Sequence, residues 1–182
     1  MQTGIFAKTF AGTGAEFVLA AARRAGYETV QFNMTCLGLA AMPDEISDVA
    51  ARSVMQASQR TGVGIAAVSA TYNMIHPDQQ LRDAGLRRLN VILSAAKAMG
   101  TNLVTLCTGT RDAKDQWRHH PGNDLPDAWK DLTTEMAKAL KLAERHDVNL
   151  GVEPELANVV NSAMRAKRLI ADMQSQKTAH YS

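Results

Sequence analysis

The stretch Leu150-Gly-Val-Glu-Pro-Glu-Leu-Ala-Asn158 begins as an apolar strand and ends in two carboxylates around a proline. A carboxylate at the tip of a buried strand is costly unless it is paired or holds a metal ion. In parallel α/β sheets, ligands bind beyond the C-terminal ends of the strands. Glu153 is therefore the first candidate for a catalytic and metal-binding residue. Glu155 either shares that site or caps the next segment.

Four more apolar segments precede this one, and a helical pattern follows each of them. We predict strands at residues 4–10, 28–33, 64–71, 102–107 and 149–153. The first helix is expected to start at a capping box, Thr13-x-x-Glu16, the second at Pro43, the third at Pro77 and the last at Asn161 or Ser162. Strands without polar alternation, each followed by a helix, predict a parallel sheet covered by helices. An open doubly wound sheet and a (β/α)8 barrel both fit.

Length and composition favour a single globular domain. The chain has 182 residues, 46% of them hydrophobic and 21% charged, and we assign residues 1–173 to one domain and 174–182 to an unstructured tail. A net charge of +2 with 5% aromatic residues disfavours a nucleic-acid partner. No apolar run approaches the ~18 residues of a membrane span, and there is no signal-peptide pattern, so we expect a cytoplasmic protein with two buried thiols.

Polar residues follow the predicted strands in a way that turn chemistry alone does not explain. Turns favour Asn, Asp, Ser and Thr, whereas here Arg, Trp and His join them. The candidate substrate-binding residues are Asn73 and His76 after the third strand, and Arg111, Trp117, His120 and Asn123 after the fourth. Glu155 completes this set after the fifth strand. We expect these side chains to converge on one rim of the sheet.

Four motifs resemble those of the sugar phosphate isomerase/epimerase family. They are Asn73-Met-Ile-His-Pro77, Cys107-Thr-Gly-Thr-Arg-Asp112, Trp117-x-x-His120-Pro-x-Asn123 and Glu153-Pro-Glu-x-x-Asn158-Val. These proteins are xylose isomerase-like TIM barrels, related in fold to inosose dehydratases and apurinic endonucleases. The resemblance implies a small sugar or polyol as substrate and a divalent metal, manganese, magnesium, cobalt or zinc. Glu153 matches the family's first metal ligand, and the candidates above fall where the family lines its substrate pocket.

The resemblance also implies a departure from the family pattern. A complete (β/α)8 barrel needs about 250 residues, and this sequence provides five β-α units, so we expect a partial barrel truncated after the fifth unit. The Asp, His and Glu that the family carries on later strands have no counterpart. We therefore expect weak or absent metal binding, impaired isomerase or epimerase activity, and self-association through open strand edges. An inosose-dehydratase-like lyase on the same fold and a non-catalytic remnant are the alternatives.

Overall fold

The alternation of strands and helices is the main feature of the chain. A computed structural model describes the backbone of residues 2–179 and the side chains of residues 2–174. Within these residues the strands are β1 (Gly4–Phe6), β2 (Thr29–Phe32), β3 (Gly64–Ser69), β4 (Leu103–Leu106) and β5 (Asn149–Val152). The α-helices are α1 (Ala15–Arg24), α2 (Asp48–Thr61), α3 (Gln79–Ala96), α4 (Pro126–His146) and α5 (Ala163–Ala179). All five predicted β-α units are present in the predicted order.

The five described strands form one sheet in the order β1-β2-β3-β4-β5. The pairs β1–β2, β2–β3 and β3–β4 are parallel, with Gly4 opposite Thr29 and Val68 opposite Val104. Beside β4, the amide of Asn149 donates to the carbonyl of Asn102 at 2.7 Å. The predicted α/β class with five parallel strands is confirmed. Because the strands are parallel, their C-terminal ends lie at the same edge of the sheet.

Three element boundaries differ from the prediction near the N-terminus. β1 ends at Phe6, since a 3-10 helix covers Ala7–Thr9. The capping box at Thr13 is wrong: the N-cap of α1 is Gly14, which makes no side-chain capping bond. α2 begins at Asp48 rather than at Pro43, because the hydroxyl of Ser47 accepts the amide of Ala50 at 3.2 Å and starts the helix there.

The last helix also departs from its predicted bounds. Ser162 caps α5 as expected, its hydroxyl accepting the amide of Arg165 at 3.3 Å. The helix continues through Ala179, so it extends into the stretch 174–182 that the sequence predicted as an unstructured tail. Residues 180–182 lie outside the described residues. The single domain over 1–173 stays a prediction.

The chain divides into two compact units, each with its own buried residues. The first comprises the described residues up to Ala70 together with Arg87–Thr105 and Ala143–Gly151. Its fully buried side chains include Leu19, Phe32, Met34, Ile92 and Met99. His146, near the end of α4, pairs with the side chain of Asn90 at 2.9 Å. Cys36 is a buried free thiol of this unit.

The second unit comprises Thr71–Leu86, Leu106–Leu142 and the described residues from Val152 onward. It contains every segment that follows the C-terminal ends of β3, β4 and β5, and hence all eight candidate site residues. Its core is built from Met74, Ile75, Leu106, Leu132 and Leu169. Trp129 of α4 donates to Asp172 of α5 at 2.8 Å, and the guanidinium of Arg168 lies 4.3 Å from the centre of its ring. No helix in the described part of the chain is both long and apolar enough to cross a membrane.

Candidate active site

Three segments of the second unit carry the candidate residues. We name them the β3 loop (residues 71–78), the β4 loop (107–125) and the β5 loop (153–162). The side chain of Asn73 joins the first two. Its oxygen accepts the amide of Thr110 at 3.0 Å and that of Ile75 at 3.3 Å, while its nitrogen donates to the carbonyl of Thr110 at 2.8 Å. Asn73 is therefore engaged with backbone groups on both of its polar atoms.

Asn123 joins the β4 loop to the β5 loop. It is 2% exposed, and its oxygen accepts the amide of Arg111 at 2.8 Å and the hydroxyl of Thr110 at 3.1 Å. Its nitrogen donates to the carbonyl of Ala157 at 2.9 Å. These bonds use the donor and acceptor groups of a buried amide. The structure thus places Asn123 between the loops rather than on an open surface.

Glu153 and Glu155 follow β5 but differ in burial. Glu153 is half-buried and Glu155 is exposed. The amide of Glu153 donates to the carbonyl of Leu106 at 3.0 Å, which extends the pairing of β5 with β4 by one residue. The next residue of β4's chain, Cys107, is buried. The two strand ends therefore place a carboxylate and a thiol in neighbouring positions.

Burial and nearby charges set the pKa of the Cys107 thiol. Burial raises the pKa of the Cys107 thiol to about 11, and the nearby carboxylates of Glu153 and Glu155 act in the same direction, against a hydrogen bond from Thr71 at 3.8 Å. The thiol is consequently neutral at physiological pH and is a poor nucleophile. Both carboxylates therefore lie near enough to Cys107 to influence its ionisation.

His76 lines a cleft between the β3 and β4 loops. Its Nδ1 accepts the amide of Asp78 at 2.9 Å, and its Nε2 lies 3.1 Å from the carbonyl of Ala113. Both ring nitrogens of His76 are therefore engaged with backbone groups. The cleft has a volume of about 330 Å³. Of the eight candidates, its described lining includes Asn73 and His76; the other lining residues are Leu81, Asp112, Ala113, Lys114, Asp115 and Gln116.

Arg111 is turned towards α4. Its guanidinium lies 2.8 Å from the carboxylate of Asp131 and 3.5 Å from that of Asp127, and it donates to the carbonyl of Ile75 at 3.3 Å. Asp131 also pairs with Arg82 at 3.2 Å. Arg111 therefore belongs to an ion-pair network that ties the loops to the helix.

Trp117 and His120 lie on the exposed part of the β4 loop. The Trp117 side chain is 53% exposed, and the amide of this residue donates to Asp115 at 2.9 Å. His120 caps a 3-10 helix at Pro121–Asp124, its Nδ1 accepting the amide of Gly122 at 3.0 Å. Asp112 accepts the amides of Lys114 and Asp115, and these bonds hold the pKa of its carboxyl below the usual range.

Two residues of this site were not singled out from the sequence. Asn158 is 1% exposed, and both polar atoms of its side chain bond to the β4 loop: its oxygen accepts the amide of Gly109, and its nitrogen donates to the carbonyl of Gln116. Gly109 has a φ of +83°, a region that glycine enters freely. Both residues stand inside the motifs quoted above. They bond to each other across 49 residues of sequence, so no local pattern reveals the contact.

The metal expected from the resemblance was tested against the side chains present. Among the described residues, no group of three or more His, Cys, Asp or Glu side chains is gathered so that it could hold an ion. Glu153 alone is a single carboxylate ligand. The described residues therefore do not compose a metal site by themselves.

The family of the chain follows from comparison with known proteins. The xylose isomerase-like TIM barrel family matches residues 19–178. A search of curated proteins finds no match. L-ribulose 3-epimerase superposes with a TM-score of 0.73 at 20% identity, over 95% of this chain and 57% of that one.

Two further solved structures are similar in fold. 3-Keto-D-glucoside 4-epimerase YcjR from E. coli gives a TM-score of 0.71 at 15% identity, over 96% of this chain and 65% of that one. A xylose isomerase-like TIM barrel protein from Mycobacterium smegmatis, in complex with magnesium, gives 0.67 at 12% identity, over 95% and 61%. The chain thus spans less than two thirds of the length of each of these three relatives. It belongs to the xylose isomerase-like TIM barrel family.

Proposed function

We propose that this chain forms part of a sugar isomerase or epimerase that moves a proton next to a carbonyl group. Its substrate is a sugar, a sugar phosphate or a polyol of similar size. The observation that carries the proposal is the position of Glu153: a half-buried carboxylate directly after β5, at the C-terminal edge of a parallel sheet. Two relatives of the same fold are named as sugar epimerases, which supports this class of reaction.

The reaction needs a base that is fixed in place and ionised. Glu153 takes the proton from the carbon next to the carbonyl, and the electron pair moves to the carbonyl oxygen as an enediolate. Return of the proton to the neighbouring carbon, with the hydroxyl proton passing to the enediolate oxygen, gives an isomer, and delivery of the proton to the opposite face of the same carbon gives an epimer. Cys107 stays protonated and does not compete as a base, because its pKa is about 11. Glu155 is a second carboxylate in the same loop.

A divalent ion, manganese, magnesium, cobalt or zinc, is the finer part of the proposal. It is supported by the Mycobacterium smegmatis relative, which was solved with magnesium. Since the described residues offer Glu153 as a single ligand, we expect weak binding of the ion by this chain.

Deuterium exchange from solvent tests the proton transfer directly. We expect the purified chain in D₂O to place deuterium next to the carbonyl of a pentulose or hexulose, as followed by proton NMR. Glu153→Gln should slow this exchange at least about 100-fold, because an amide cannot accept the proton. The matched control is Glu45→Gln, which alters an exposed carboxylate of the first unit.

The same assay decides the metal question. Exchange that rises when Mn²⁺ is added and falls with a chelator would support the ion. Exchange at an unchanged rate in Glu153→Gln would contradict the proposed role of Glu153.

We also propose that the chain associates with itself through its strand edges. β1 and β5 stand at the two ends of the described sheet order. An edge strand presents backbone N–H and C=O groups that can pair with another chain.

A further inference from the structure

We infer that Asn158 is a positioning residue: it locks the β5 loop, and with it Glu153, onto the β4 loop through the backbone of Gly109. The inference deepens the proposed function and rests on it for the role of Glu153. Asn158 acts through Glu153 and does not itself contact the substrate.

The contacts of Asn158 are complete and buried. Its side-chain oxygen accepts the amide of Gly109 at 2.8 Å, and its nitrogen donates to the carbonyl of Gln116 at 3.2 Å. The residue is 1% exposed. An amide side chain supplies a donor and an acceptor together, whereas a carboxylate supplies acceptors only. Asparagine is thus a residue type that satisfies both the amide of Gly109 and the carbonyl of Gln116.

Neighbouring backbone groups extend the attachment. The amide of Val159 donates to the carbonyl of Gly109 at 3.0 Å, so the peptide groups of Gly109 are held on both sides by the β5 loop. The amide of Val160 donates to the hydroxyl of Thr108 at 3.0 Å. Together with the bond from Asn123 to Ala157, these contacts fix four consecutive residues of the β5 loop.

The fixed end of the loop is coupled to Glu153 by a closed turn. The amide of Glu155 donates to the carbonyl of Val160 at 3.0 Å, and the amide of Asn158 donates to the carbonyl of Glu155 at 2.9 Å. Glu153 is held from the other side by its own bond to Leu106. The one residue left between them is Pro154, whose φ is set by its ring. Displacement of the Glu153 backbone is therefore coupled to the contacts of Asn158.

Backbone order parameters and solvent exchange test this role together. In Asn158→Ala we expect the NMR order parameters of the amides at 153 and 155–160 to fall from the rigid value of about 0.85 to below about 0.6. At saturating sugar, deuterium exchange should slow about ten- to a hundredfold, because a misplaced base loses its orientation, while KM stays unchanged. Asn158→Asp keeps the size of the side chain and its acceptor, so its order parameters and exchange rate should lie between those of the unaltered chain and of Asn158→Ala. If the alanine variant does not fold, Asn158→Asp takes its place in the test.

The control is Asn90→Ala, which removes an asparagine bonded to His146 in the first unit. It should change neither readout. Unchanged order parameters in a folded Asn158 variant overturn the inference, and so does a loosened loop that exchanges deuterium at the full rate. Absence of exchange in the unaltered chain overturns the proposed function alone, since the order parameters still decide whether Asn158 fixes the Glu153 segment.

Discussion

Gly109 combines two constraints at a single residue. Its φ of +83° disfavours any side chain, and a Cβ atom there would overlap the side-chain oxygen of Asn73 and lie 2.9 Å from its Cα. We expect Gly109→Ala to lower the free energy of unfolding by more than about 3 kcal/mol, the sum of backbone strain and overlap. Urea unfolding would measure it.

Gly26 provides the matched control for this substitution. Its φ is +89°, and a Cβ atom there would meet nothing within 4 Å. Gly26→Ala should therefore cost only the backbone term, about 1 kcal/mol. Equal losses in the two variants would show that the approach of Asn73 to Gly109 contributes nothing.

Two buried acidic groups, Cys107 and Tyr72, predict a loss of stability in alkali. Burial raises the pKa of Cys107 from 9.0 to about 11, and burial with the adjacent Glu135 raises that of Tyr72. A raised folded-state pKa stabilises the protein fully below the unfolded value, and this contribution is lost as the pH rises towards the folded value. The free energy of unfolding should therefore fall between about pH 9 and 11.

Substitution identifies the residues responsible for that fall. Cys107→Ala should remove about 2 kcal/mol of the alkaline decrease, as measured by urea unfolding at pH 7, 9 and 10.5, and Tyr72→Phe should flatten it further. Tyr27→Phe, which alters a half-buried tyrosine of the first unit, is the control. A decrease of the same size in Cys107→Ala would rule the thiol out as its source.

For single residues, the sequence indicated which polar side chains follow the strands but not which groups they contact. Asn73 and Asn123 were predicted to bind substrate, and both use their amides on backbone groups of neighbouring loops. An asparagine after a strand fits either role, because a sugar hydroxyl and a peptide group offer the same donors and acceptors. The distinction depends on loops 34 to 37 residues away, which no local pattern encodes.

Helix α4 stabilises the β3 and β4 loops through one carboxylate. Asp131 pairs with Arg111 at 2.8 Å and with Arg82 at 3.2 Å, and both arginine side chains are only 14% exposed. We expect Asp131→Ala to lower the free energy of unfolding by about 1–2 kcal/mol, because it removes the carboxylate nearest to Arg111 and the ion pair of Arg82, while the carboxylate itself is partly solvated. Thermal unfolding would measure the loss.

Asp127, one turn earlier on α4, is the comparison. Its carboxylate lies 3.5 Å from Arg111 and is 70% exposed, so Asp127→Ala should change stability by less than about 0.5 kcal/mol. An equally large loss in both substitutions would contradict the assignment of the effect to the close ion pairs of Asp131.

At the scale of elements, the sequence predicted which strands and helices exist, but it misplaced several of their first and last residues. Apolar segments and helical periodicity identify β1–β5 and α1–α5, since burial imposes these periods. The ends depend on competing caps: Thr13 fits the capping pattern, yet Gly14 is the N-cap of α1, and Ser47 starts α2 four residues after Pro43. Burial also varies along one helix: Leu81, near the start of α3, is 54% exposed, whereas Leu89 and Ile92 are fully buried.

For the whole molecule, the order of the sheet predicts association. The amides of Asn149 and Glu153 donate to the chain of β4, so by alternation the N–H of Leu150 points away from β4. Sedimentation velocity between about 1 and 100 μM should show growth in mass with concentration. Leu150→Pro removes that outward N–H and should reduce the growth, while Leu150→Ala keeps it. A constant sedimentation coefficient would contradict edge pairing.

The sheet order β1-β2-β3-β4-β5 also bears on how the chain is made. Each of the strands β2 to β5 is hydrogen-bonded to the strand synthesised just before it, so within the described sheet each of them meets a partner that has already been made. A ribosome that releases about 5–20 residues per second would deliver one strand-helix repeat every few seconds. Each arriving repeat can dock onto the growing edge as it leaves the exit tunnel, which makes vectorial folding the natural route for this polypeptide.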